Sequence, residues 1–143
     1  MKLEDLFNII MSDNPIKKIK ENEDAIFNFI PELKICKGFE QKNPWHIYDV
    51  YDHTLMVLSL VPQDLIMRLS ALFHDIGKPQ VYFEDSDGIG HFRGHWTVSR
   101  KIFEQFAETY DLDKKLKEKV SLLILYHDKN FEDVYSKENL DIL

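Results

Sequence analysis

The segment DLIMRLSALFHDIG, residues 64–77, constrains this chain more than any other. Between Leu65 and Phe73 only Arg68 and Ser70 interrupt the apolar residues, and His74 and Asp75 follow directly. A helix that is apolar nearly all round belongs in the middle of a domain, because no face of it suits water. Asp64 is a natural N-cap and Gly77 the usual C-terminal stop, so the reading is a fully buried helix over Asp64–Ile76. Such a helix carries a carboxylate into the interior. An ionised carboxylate buried without a partner is very unfavourable. A metal ion would offset that cost and engage the neighbouring imidazole; an ordinary helix end, with His74 near the negative end of the dipole, is the plainer alternative.

Helical spacing governs the rest of the chain. Leu3, Leu6, Phe7 and Ile10 repeat as one face of a first helix. Asn14-Pro15 opens a second, with Ile16, Ile19, Ile26 and Ile30 on one side, and Pro31 is expected to end it. Residues 37–44 read as a loop. A third helix is expected from Tyr48 to Val61, closed by Pro62, and two more at Thr97–Tyr110 and Asp113–Tyr126. The Asp87-Gly88 step between Val81-Tyr82-Phe83 and Ile89–Phe92 predicts a small hairpin. Asp85–Gly88 faintly resembles a calcium loop, but Trp96 stands where its final Glu is needed. The expected architecture is a single all-α helical bundle with one short hairpin-like excursion. Residues 1–30 form N-terminal helices, and 31–143 form the remainder of the same compact unit.

Composition narrows the class of function. At 143 residues and 44% hydrophobic, the chain holds one domain with a real core. Its net charge of −7 argues against broad nucleic-acid binding, which depends on Lys and Arg. The single cysteine, Cys36, excludes a disulfide framework or a thiolate cluster and reads as apolar filler. The acidic N-terminus is not a signal peptide, and no stretch reaches the ~20 apolar residues of a membrane span. A cytoplasmic protein is the expectation.

The histidines sharpen the picture. A short connection between the third and fourth helices makes them antiparallel and lets His53 approach His74. His127 is in phase with Leu116, Val120 and Leu123, on the core side of its helix. His95 lies three residues before Val98, on the inward side of the stripe Val98, Ile102, Phe106 and Tyr110. A lone inward histidine is more often a hydrogen-bonded core residue than a ligand. Four of them converging on one carboxylate shift the reading toward metal. Nitrogen and oxygen ligands without thiolate suit Mn, Fe, Co, Ni or Zn.

These residues resemble the HD superfamily of metal-dependent phosphohydrolases. The likeness is greatest to the HD domain of bacterial tRNA nucleotidyltransferases (CCA-adding enzymes) and its free-standing relatives. It rests on HIYDVYDHTLMVL, RLSALFHDIGKP, GIGHFRGHWTVS and the later YHD, and covers residues 31–130. The resemblance implies a helical bundle that hydrolyses phosphomonoesters or phosphodiesters with one or two divalent ions. His53, His74 and Asp75 match its central metal positions; His95 and His127 match positions that complete a second site or contact substrate. Lys78 matches a lysine near the phosphate. The nucleotidyltransferase head has no counterpart here, so polymerisation is not implied.

The expected chemistry is attack on phosphorus by a metal-activated water, with Asp75 and Lys78 in the catalytic roles. The expected substrate is a small phosphate compound, a nucleotide or phosphoester, including 2′,3′-cyclic ones. Lys78, Arg93 and His46 are the candidate substrate contacts. The competing readings are a non-catalytic metal- or nucleotide-binding regulatory module and a purely apolar interaction domain. The family also has an aspartate well downstream of the histidine matched by His127. Asp128, Asp133 and Asp141 are poor substitutes for it, so the first site is expected to be open on one side; a truncated form of a longer protein and a chain that ends here are both open readings.

Overall fold

The computed structural model describes residues 1–44 and 46–126. The elements run α1 (Leu3–Ile10), α2 (Pro15–Glu21), α3 (Glu23–Phe29), α4 (Pro31–Cys36), α5 (Val50–Leu60), α6 (Leu65–Phe73), α7 (Lys78–Val81), β1 (Phe83–Glu84), β2 (Gly90–His91), α8 (His95–Thr109) and α9 (Lys114–Leu125). The fold is all-α with one two-residue hairpin, in which Phe83 pairs with His91 and Glu84 with Gly90.

Helix α6 is the axis of the bundle and touches α1, α5, α8 and α9. Every residue from Arg68 to Lys78 is buried. Its N-terminus is capped by the Asp64 carboxylate, which accepts from Met67 N at 2.9 Å. Its two polar interruptions have local explanations. Ser70 Oγ donates to the Ile66 carbonyl at 2.6 Å. The Arg68 Nη1 donates to the carbonyls of Ile10 and Ser12, both at 2.8 Å, and so closes the open end of α1. Leu6, Ile10, Ile19 and Ile26 from the first helices join the same core as Leu55, Leu69, Phe73 and Phe103.

Two expected boundaries differ. The helix from Asn14 to Pro31 is broken at Asn22, whose side-chain Nδ2 donates to the Lys18 carbonyl at 2.8 Å and competes with the helical ladder. Pro31 marks the end of α3 as expected, since that helix stops at Phe29 with Ile30 as its cap, and it also opens α4, at the first position where its missing N–H is harmless. Nor does α6 run to Ile76, for it ends at Phe73, and Gly77 is not a left-handed stop. Its φ is −82°, and α7 follows it directly. Its glycine nature serves contact: a Cβ there would lie 2.6 Å from Ser99 N and 2.9 Å from the His95 carbonyl. Gly77 N donates to Ser99 Oγ at 2.8 Å. This close approach seats the first turn of α8 against the turn that carries Asp75.

Candidate metal centre

The turn of residues 74–77 joins α6 to α7 and holds Asp75 with no exposed surface. Among the described residues, four cationic or ligating nitrogens surround its carboxylate. His53 Nε2, from the middle of α5, lies 3.2 Å from Oδ2. His74 Nε2 lies 3.1 Å from the same oxygen, and Lys78 Nζ 3.3 Å from it. His95 Nε2, at the start of α8, lies 3.0 Å from the other oxygen, Oδ1. Ligand atoms of His53, His74 and Asp75 all lie within 4.8 Å of one another. The rings of His53 and His74 are 5.8 Å apart.

Proton positions decide what this cluster can hold. A carbonyl oxygen only accepts, so a ring nitrogen facing it carries the proton. His74 Nδ1 faces the Ala71 carbonyl at 2.5 Å, and His95 Nδ1 faces the Phe92 carbonyl at 2.9 Å. In the neutral tautomers those bonds fix, Nε2 of both rings turns a lone pair toward the Asp75 carboxylate. Two acceptors facing each other at about 3 Å repel unless positive charge lies between them, as a proton or a metal ion. A second nitrogen anchored on a backbone carbonyl is the arrangement that orients metal-binding histidines. The residues therefore fit a divalent ion.

The surroundings add further polar groups. His46, half-buried beside the site, sets its ring 5.3 Å from that of His53. Burial pushes its imidazole down to about 4, with the Lys78 ammonium and His53 adding to the effect, so it is neutral at pH 7. Lys78 Nζ donates to Gln41 Oε1 at 2.8 Å and sits over the Phe92 ring, 5.1 Å from its centre. Gln41 is a buried residue that loop sequence alone did not reveal. Arg93 is exposed, its guanidinium 5.2 Å from the centre of the Phe83 ring. His91 holds the hairpin instead, with Nε2 2.8 Å from Asp85 Oδ2. Asp85 Oδ1 also accepts from the backbone of Asp87 and Ile89, which makes this segment a hairpin turn. His127, Asp128, Asp133 and Asp141 lie outside the described residues.

A helical bundle whose central helix delivers a His-Asp pair into a ring of imidazoles defines a metal-binding α-domain. Residues 50–142 match the HD domain family, and the chain belongs to it. HD domains bind divalent metals, and His53, His74 and Asp75 form the possible metal site here. The chain is 34% identical over 106 residues to the CC-adding tRNA nucleotidyltransferase of Thermus thermophilus. It is 29% identical over 104 residues to the A-adding tRNA nucleotidyltransferase of Deinococcus radiodurans. A bifunctional uridylyltransferase/uridylyl-removing enzyme of Corynebacterium glutamicum is 26% identical over 133 residues. These alignments take in 69%, 68% and 86% of this chain but 24%, 24% and 18% of the relatives. No solved structure matches. Among the described residues no helix is long and apolar enough to cross a membrane.

Proposed function

We propose that this domain is a metal-dependent phosphohydrolase acting on nucleotides or small phosphoesters, 2′,3′-cyclic ones included. The observation that carries the reading is the pair of carbonyl-anchored imidazoles turning Nε2 toward a wholly buried carboxylate. His53, His74 and Asp75 would hold the ion, and His95, on the other carboxylate oxygen, would serve a second ion or the substrate. A bound divalent ion lowers the pKa of its water to about 7 and so supplies hydroxide at neutral pH. Asp75 would hold the ion and orient the attacking water through its carboxylate. Lys78 neutralises phosphate charge beside Asp75, neutral His46 lines the rim, and exposed Arg93 meets the outer part of the substrate. The uridylyl-removing relative supports the reaction class, since a uridylyl group is attached through its phosphate.

The test is a panel of phosphomonoesters, linear phosphodiesters and cyclic nucleotides assayed with Mn, Fe, Co, Ni and Zn. Turnover with at least one pair is expected. Lys78→Ala should keep the metal and lower turnover about 100-fold, as expected for removal of one charge-stabilising group. A protein that binds metal tightly and turns over nothing on the panel is instead a binding or regulatory module.

A further inference from the structure

We propose that Gln41 is a positioning residue that holds the Lys78 ammonium at the site, with its backbone seated against the hairpin. The phosphate-binding part of this inference rests on the function proposed above.

Lys78 has a long flexible stem and a compact charge, so its place must be fixed by partners. Asp75 Oδ2 is a contested one. Three nitrogens lie within 3.3 Å of an oxygen that offers two lone pairs. Gln41 Oε1 is nearer, at 2.8 Å. The amide cannot be turned round. Its Nε2 donates to the Tyr48 carbonyl at 3.1 Å, which leaves only the oxygen for Lys78. A glutamine that is only 2% exposed, with both amide atoms engaged, specifies one geometry.

The backbone of Gln41 is braced from behind. Gly90 N, in β2, donates to the Lys42 carbonyl at 2.7 Å. A Cβ on Gly90 would lie 2.2 Å from the Gln41 carbonyl oxygen. Asn43 Nδ2 donates to that same oxygen at 3.4 Å. Lys42 and Glu84, paired at 3.0 Å, tie the loop to the other strand. The excursion from the bundle thus ends on the peptide whose side chain grips Lys78.

Gln41→Met keeps the length and removes the hydrogen bond; Gln41→Glu keeps a partner for Lys78 but offsets its positive charge with a carboxylate. Inorganic phosphate binding to the Mn-loaded protein is measured by calorimetry, with Mn affinity measured separately. Trace acetylation of Lys78 by acetic anhydride is read by mass spectrometry. Gln41→Met should leave Mn affinity unchanged and weaken phosphate about tenfold, the scale of one hydrogen bond to a charged group. It should also speed Lys78 acetylation several-fold, because the amine loses its nearest partner. Gln41→Glu should weaken phosphate while keeping Lys78 protected, and it stands in if the Met variant fails to fold. On a Lys78→Ala background, Gln41→Met should change phosphate affinity less than about twofold. An equal loss on both backgrounds overturns the inference, because Gln41 would then act independently of Lys78. Unchanged acetylation in Gln41→Met overturns it too. If Lys78→Ala itself leaves phosphate binding intact, the proposed function loses its phosphate cation, and acetylation still decides whether Gln41 holds Lys78.

Discussion

The segment through α6 buries two charges, and its two ends treat them in opposite ways. Arg68 donates to the neutral backbone carbonyls of Ile10, the last residue of α1, and Ser12 just past it, groups that neither titrate nor carry charge. Asp75 is met by side chains that titrate, ligate or carry charge, drawn from α5, α7 and α8. Both residues are nearly or wholly without exposed surface, so burial does not distinguish them. The partners do. A charge spent on orphan carbonyls is a splice between helices, whereas a charge ringed by imidazoles is poised to exchange its partners for a ligand.

That contrast can be broken experimentally, beginning at the Asp75 end. Asp75→Ala removes the only carboxylate of the cluster among the described residues and is expected to abolish both metal binding and hydrolysis. Equal metal content in the wild type and this variant, by elemental analysis, would end the assignment. Gly77→Ala comes next. Its Cβ would overlap Ser99 N and the His95 carbonyl, so α8 must shift. Overpacking of this kind costs about 1–3 kcal/mol, and metal affinity should fall with stability as His95 leaves Oδ1. Arg68→Met should lower stability by about 2 kcal/mol in urea titration, from lost hydrogen bonds to a charged group, and leave metal affinity untouched. If metal binding weakens in this variant, the two ends are not separable. Asp64→Ala should cost about 1 kcal/mol through the lost cap, with no effect at the site.

Residues with a periodic context were legible from sequence. The buried run before His74 and the inward position of His95 follow from helical phase, the Asp64 cap from its residue type, and the approach of His53 to His74 from the short antiparallel connection, and the structure places them accordingly. The hairpin at Asp87-Gly88 follows from turn chemistry, with Gly88 at φ +78°. What was hidden depends on contacts distant in sequence. Asn22 breaks a helix whose apolar spacing runs straight through it. Gly77 reads as a stop, although its lack of a side chain is needed 22 residues away at Ser99. Gln41 lies in a polar loop where nothing local signals burial, and only the approach of Lys78 and Gly90 accounts for it. His95 reads as preceding its helix but begins it, after Gly94 at φ +74°.

Cys36, the single thiol of the chain, lies wholly covered beneath the turn that carries Asp75, with its sulfur 3.8 Å from the Ile76 carbonyl oxygen. Burial, with the Asp75 charge adding to it, pushes that thiol up to about 12. A thiol so covered and so protonated reacts with disulfide reagents only when the structure around it opens. Its rate of modification is therefore a clock for that opening, native to the chain and set next to the carboxylate. An ion bound only by the closed form slows the clock by a factor of 1 + [L]/Kd, provided reclosing outpaces modification. The affinity of the centre can thus be timed at a sulfur atom that never touches the metal.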